Sequence, residues 1–80
     1  MTVHIFTCKE SSNRYGFTPD ISGKNLPITN CSEWVFWKTR ELEYDKPILG
    51  IYVSSVLNLI IRDGFAIQES TSNLSESKKI

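Results

Sequence analysis

Eighty residues allow one small domain, which buries only about 60% of the surface its unfolded chain exposes. Nine basic residues balance nine acidic ones, so no net field draws the chain to nucleic acid or an anionic membrane. With 40% apolar, 22% charged and 11% aromatic residues, the make-up is that of an ordinary globular protein.

The opening MTVHIFTCKE has neither a basic leader nor the apolar run of a signal peptide. The longest apolar stretch, Ile48–Ile61, is interrupted by Gly50, Ser54, Ser55 and Asn58 and is too short to span a bilayer. The expectation is a cytoplasmic protein with no membrane segment. Cys8 and Cys31 are then expected to be reduced, because a bridge between them persists only in an oxidising compartment. The Asn-x-Ser triplets at Asn30 and Asn73 carry no glycosylation meaning in that setting.

Taken in chain order, residues 2–8 (TVHIFTC) are β-branched and aromatic and predict a strand. Val3, Ile5 and Thr7 share one face; His4, Phe6 and Cys8 share the other. KESSNR reads as a polar turn, and Tyr15–Thr18 as the return arm of a hairpin. No regular period runs from Thr18 to Ser32. Within it, Pro19-Asp20-Ile21-Ser22-Gly23 has the chemistry of a type I turn, and Leu26 and Ile28, flanking Pro27, are placed to anchor the segment to the core. Glu33–Leu42 predicts the third strand, in which strict alternation sets Trp34, Phe36 and Lys38 against Val35, Trp37 and Thr39. Over Pro47–Arg62, Leu49, Tyr52, Val53, Val56, Leu57 and Ile60 form one helical stripe. Asp45 is its expected N-cap, Pro47 lies in the first turn, and Gly64 suits the left-handed C-terminal residue. Phe65–Glu69 reads as the last strand, with Phe65 and Ile67 inward. The Ser-rich, polar residues 70–80 predict a disordered tail after a single compact domain, 1–69.

The fold class is therefore α+β, in the order β-β-loop-β-α-β, with one amphipathic helix on one face of a small antiparallel-rich sheet. One helix covers one face only. The second face needs another cover, and either the long loop or a second copy of the chain supplies it. An apolar face left bare on so small a domain is a liability, which favours a homodimer.

Chemistry is sparse. His4, Cys8 and Cys31 would have to converge to hold a metal. His4 and Cys8, four apart on a strand face, stand about 13 Å apart, whereas zinc ligands must approach to about 2.0–2.3 Å. No metal site, cofactor or Cys–His nucleophile is expected, and no paired carboxylates stand out. The loop GFTPDISGKNLP is not a phosphate loop: Gly16 and Gly23 are seven apart, and Pro27 disfavours the helix such a loop must enter. Tyr15, Phe17, Trp34, Phe36 and Trp37 with Arg14, Lys38 and Arg40 form the one constellation suited to stacking on single-stranded nucleic acid.

The run Tyr15-Gly16-Phe17-Thr18-x-Asp20-x-x-Gly23-x-Asn25-Leu26-Pro27, a downstream Trp34 and a closing Asp63-Gly64-Phe65 resemble short uncharacterised bacterial proteins with a GFT-x-D-x-x-G-x-N-L-P-like loop. That resemblance implies a compact, stand-alone bacterial domain and no catalytic activity. The function expected is a non-catalytic module that binds another protein or itself. Its candidate contacts are Asp20, Lys24 and Asn25 on the loop, and Trp34, Trp37, Lys38 and Arg40 on the third strand. Single-stranded nucleic-acid binding by that strand is the alternative.

Overall fold

The computed structural model describes residues 1–69; the expected polar tail, 70–80, lies outside the described residues. The elements follow in the order β1 (Thr2–Cys8), β2 (Ser11–Thr18), β3 (Trp34–Glu41), α1 (Val53–Asp63) and β4 (Ala66–Glu69). The strands form one antiparallel sheet in the order β3-β1-β2-β4, with α1 packed on one face: a small α+β fold, as its patterning predicts. None of the helices among the described residues is long and apolar enough to cross a membrane.

Alternation in β1 builds the two sides of the sheet. Val3 and Ile5 lie fully buried under α1 with Tyr15 and Phe17 of β2, Ala66 of β4 and Val53, Val56, Leu57 and Ile60 of the helix. Phe6 and Cys8 face the other way and are also buried. Their cover is the segment between β2 and β3, residues 19–33, which lies across that face as an ordered flap.

Two glycines let the flap sit so close. A Cβ on Gly16 would stand 3.0 Å from both methyls of Leu26 and 3.2 Å from the Trp34 ring. One on Gly23 would stand 2.6 Å from the Phe6 ring, and Gly23 also adopts φ +70°, where side chains are strained. Polar ties complete the seat. The Thr18 hydroxyl donates to Asn25 Oδ1 at 2.8 Å, and Asn25 Nδ2 donates to the Gly64 carbonyl at 2.9 Å. Trp34 Nε1 donates to the Pro27 carbonyl at 3.1 Å, and Lys9 N–H to the Glu33 carbonyl at 3.0 Å. At the far end Cys31 is bonded to Cys8 as a disulfide, with Cα atoms 5.8 Å apart. The expectation of reduced cysteines is thus corrected: it rested on compartment alone, whereas the flap's return to β3 brings the two residues within bonding distance.

Four local expectations change as well. β2 begins at Ser11, so the hairpin turn is Lys9-Glu10 alone and the pairing is broken by a bulge between Thr7 and Cys8. The helix begins at Val53 and not at Pro47. Residues 48–51 close a turn in which Gly50 adopts φ +86°, which leaves Leu49 93% exposed and Asp45 in a separate turn between Glu43 and Lys46. In β4, Ala66 and Gln68 are the buried residues, one place out of phase with Phe65 and Ile67. Finally, β3 carries a bulge at Trp37: Phe36 pairs with Phe6 and Lys38 with Ile5, so Trp37 has no partner of its own.

Gln68 explains both the late helix start and the β4 phase. Its Oε1 accepts the Tyr52 N–H at 3.1 Å, and its Nε2 donates to the Gly50 carbonyl at 2.7 Å. No side chain caps α1 at Tyr52, so the buried amide from the neighbouring strand satisfies the backbone just ahead of the helix. At the other end Gly64 (φ +90°) closes the helix with its N–H on the Ile60 carbonyl at 2.7 Å, as expected from its position.

Two stability predictions follow from these contacts. Gly23→Ala adds left-handed strain to a clash with the buried Phe6 ring and lowers stability by about 2–4 kcal/mol. Gln68→Met keeps the volume but strands the Tyr52 N–H and the Gly50 carbonyl, for a loss of about 1–3 kcal/mol. Urea titrations followed by circular dichroism measure both; wild-type midpoints would contradict the assigned contacts.

Candidate functional site

The loop residues singled out from sequence divide by task. Asp20 accepts from the backbone N–H and the hydroxyl of Ser22 at 2.9 and 2.8 Å, and these bonds hold its carboxyl below the usual carboxylate range. Its role is to close its own turn, together with the Gly23 N–H on the Asp20 carbonyl at 2.9 Å. Asn25 clamps Thr18 to Gly64. Lys24 is exposed and stands apart from the strand residues in the site.

Most of the loop motif is therefore spoken for by the fold. Gly16 receives Leu26, Phe17 is in the core, Thr18 holds Asn25, Gly23 receives Phe6, and Pro27 offers its carbonyl to Trp34.

The bulge at Trp37 re-aims β3. Phe36 and Thr39, three apart, fall on the same face: Phe36 packs edge-on against Phe6 with ring centroids 5.6 Å apart, and the Thr39 hydroxyl lies 2.8 Å from His4 Nδ1. Trp34 is on this flap face too, half-buried over Gly16. Trp37 and Val35 turn to the helix face, where Trp37 meets Tyr15 at 5.6 Å between centroids. Lys38 and Arg40 pair with Ile5 and Val3 and so share that side, and the Lys38 ammonium sits 4.3 Å over the Trp37 ring. Of the four strand candidates, Trp37, Lys38 and Arg40 come together, and Trp34 belongs to the flap's seat.

The helix covers the part of its face built on Val3, Ile5, Phe17 and Ala66 and stops short of the hairpin end. There an open cleft of about 400 Å³ is lined by Thr7, Cys8, Lys9, Ser12, Tyr15, Val35 and Trp37. Its floor is aromatic and aliphatic, with the Lys9 ammonium near its rim. Val35, Phe36 and Trp37 remain 44%, 48% and 36% exposed, three consecutive apolar residues on a strand whose outer edge pairs with nothing among the described residues.

The stacking constellation is dispersed by the same geometry. Phe17 and Tyr15 are buried, and Phe36 lies on the face opposite Trp37. Arg14 is engaged by Glu69 at 2.6 Å and by the Asn30 carbonyl. One exposed ring, Trp37, keeps basic neighbours.

A further group of chemical side chains was missed in sequence. Cys8, Glu10 and Cys31 present their ligand atoms within 4.8 Å of one another, and Glu10 Oε1 stands 3.8 Å from each sulfur. The backbone N–H and hydroxyl of Ser32 both donate to the Glu10 carboxylate. His4, the residue the sequence offered beside the cysteines, is instead placed next to Thr39 and Phe36. The only sequence signal for Glu10 was its spacing from Cys8 across the hairpin turn. Other carboxylates are tied locally: Glu41 accepts from the Met1 ammonium and from the Thr2 hydroxyl, each at 2.7 Å, and Asp63 pairs with Arg62 at 2.8 Å, contacts that hold both carboxyls below their ordinary range.

With this geometry in view, comparison with known proteins finds no match to a family model, a curated protein or a solved structure.

Proposed function

We propose that this chain is a small, non-catalytic protein-binding module that works in the cytoplasm and docks its partner, another protein or a second copy of itself, on the helix-side flank of β3. The observation that carries this reading is the pair of exposed side chains Val35 and Trp37 lining the cleft on an edge strand, on the side of the sheet that α1 leaves uncovered at the hairpin end. Apolar surface concentrated in this way marks an interaction site more often than it marks neglect.

The chemistry of the partner follows from the lining. An aliphatic or aromatic side chain fits against Tyr15, Val35 and Trp37, where aromatic anchors contribute most to binding. Lys9 lines the cleft and the Lys38 ammonium lies over the Trp37 ring, cations that favour acidic groups beside the anchor. Docking is by side chains: the bulge at Trp37 and the two cations on the strand obstruct addition of a further strand to the edge. The likeness of the Tyr15–Pro27 run to short bacterial proteins accords with this reading, since it implies a compact stand-alone domain and nothing catalytic.

A second reading, single-stranded nucleic-acid binding, has one observation in its favour: Lys38 and Arg40 beside the exposed Trp37 ring. A base stacking there would have to displace the Lys38 ammonium from the ring, and no second ring continues the platform.

Trp37→Ser separates the readings. On the protein-docking reading, wild-type chain at tens of micromolar sediments as a dimer, or retains a partner from a native-cell extract whose binding Trp37→Ser weakens at least tenfold, with an unchanged urea midpoint. A monomeric mass together with capture that is indifferent to Trp37→Ser would refute it. Quenching of Trp37 fluorescence by oligothymidylate, lost at high salt, would favour the second reading instead.

A further inference from the structure

We propose that the Cys8–Cys31 disulfide and a zinc ion are alternative occupants of one site, with Cys8 Sγ, Cys31 Sγ and a Glu10 carboxylate oxygen as the protein ligands of the metal. This inference stands independently of the docking surface.

A tetrahedral zinc ion with bonds of about 2.3 Å to sulfur and about 2.0 Å to oxygen sets its ligands about 3.5–3.8 Å apart. Glu10 Oε1 already stands 3.8 Å from Cys8 Sγ and 3.8 Å from Cys31 Sγ. Two edges of the ligand triangle therefore have the span the metal needs while the bridge is closed, and only the sulfur–sulfur separation has to open.

The surroundings suit a metal as well. Both cysteines are 3% exposed, fixed at one end by β1 and at the other by the flap's return to β3. Glu10 reaches them from the hairpin turn, and Ser32 holds its carboxylate at both oxygens, the N–H on Oε1 at 3.3 Å and the hydroxyl on Oε2, the kind of support that orients a ligating carboxylate. Because Glu10 is exposed, solvent reaches the fourth position and a water completes the coordination. Two thiolates and one carboxylate make a soft, anionic donor set that favours zinc over magnesium or calcium.

The exchange balances. A dithiol reductant of the thioredoxin class gives two electrons and two protons to the bridge, leaving its own disulfide and the two thiols of Cys8 and Cys31. Zinc then displaces those two protons as it binds the thiolates. In the reverse direction one hydrogen peroxide takes two electrons from the bound thiolates and two protons from solvent. It yields two waters, the closed bridge and free zinc. In a reducing compartment the site holds metal; under peroxide it holds a disulfide.

The test uses the full chain, reduced with a phosphine under nitrogen and compared with the oxidised chain. Cobalt(II) serves as the spectroscopic probe and zinc as the ligand in calorimetry. The reduced chain is expected to take up one zinc per chain, to show thiolate-to-cobalt charge transfer in the near ultraviolet, and to bind zinc at least a hundredfold more tightly than the oxidised chain. Glu10→Gln still closes the bridge, so its oxidised form is folded; once reduced it should bind zinc at least tenfold more weakly, and Ser32→Ala about tenfold more weakly. Peroxide added to the zinc-loaded chain should release one zinc, seen with a chromogenic indicator, for each bridge formed. Equal zinc affinity of the reduced and oxidised chains, or wild-type affinity in reduced Glu10→Gln, would overturn the proposal.

Discussion

A sheet with apolar groups on both faces and a single helix of 11 residues has one face too many, and the structure is organised by how that face is closed. Phe6 and Cys8 cannot be left to water in so small a domain without losing much of the burial that holds it together. The flap between β2 and β3 closes over them, and it fits only because Gly16 and Gly23 carry no side chain where Leu26 and Phe6 pass. Its fastenings are of different kinds and lie at separate points: the Leu26 contact, the Thr18–Asn25–Gly64 relay, the Trp34–Pro27 bond and the Cys8–Cys31 bridge. The relay joins the flap to the residue that ends α1, so the covers of the two faces are coupled at Gly64.

With both faces closed, exposed apolar side chains remain singly on the flap and turns, as at Ile28 (76% exposed) and Leu49, and as one consecutive run, Val35-Phe36-Trp37, on β3. That strand lies at the sheet edge, beyond the reach of α1, and its bulge divides its aromatics between the two sides. Phe36 goes with the flap face and Trp37 with the helix face, where the hairpin end of the sheet is uncovered. A regular strand would have offered a longer template for edge pairing. The bulge, followed by Lys38 and Arg40, leaves apolar side chains exposed while it withholds a regular backbone edge. Exposed apolar surface and protection from strand addition coexist here because they belong to different parts of the same residues.

Element order was readable because two periods, 2 and 3.6, are distinct in this chain and its turns carry Gly and Pro. The misplacements each have a physical origin. Leu49 and Tyr52 continue the helical spacing backwards from Val53, yet Gly50 in a left-handed turn breaks the backbone there; spacing alone does not reveal conformation. Gln68 is buried where an apolar residue was expected because its amide answers two backbone groups before the helix, a debt visible only in three dimensions. The division of β3 into faces fails at one residue, Trp37, after which every assignment reverses. The cysteines were judged by compartment, and neither compartment nor spacing reports that the flap returns Cys31 to β1 beside Glu10. Of the site, Trp37, Lys38 and Arg40 were readable as a basic-aromatic run; the cleft that Trp37 lines with Tyr15 and Lys9 required the sheet.

The cysteine pair is one fastening among several, and that bears on what its chemistry can do. Opening the bridge leaves Leu26 seated on Gly16, Asn25 on Gly64, Trp34 on Pro27, and Lys9 on Glu33 through both backbone and side chain. The flap is therefore retained when the sulfurs separate, which is what allows the same residues to serve as a bridge or as ligands without loss of the fold. Cys8 and Lys9 also line the cleft beside Trp37, so whatever occupies the sulfurs sits at one wall of that cleft. An added zinc with its anionic ligands alters the charge at that wall next to the Lys9 ammonium, and charge at the rim acts on partner choice and encounter more than on raw affinity. The sulfur site and the cleft differ in their remaining residues but share Cys8 at the end of β1, and through it the state of the sulfurs can reach the cleft.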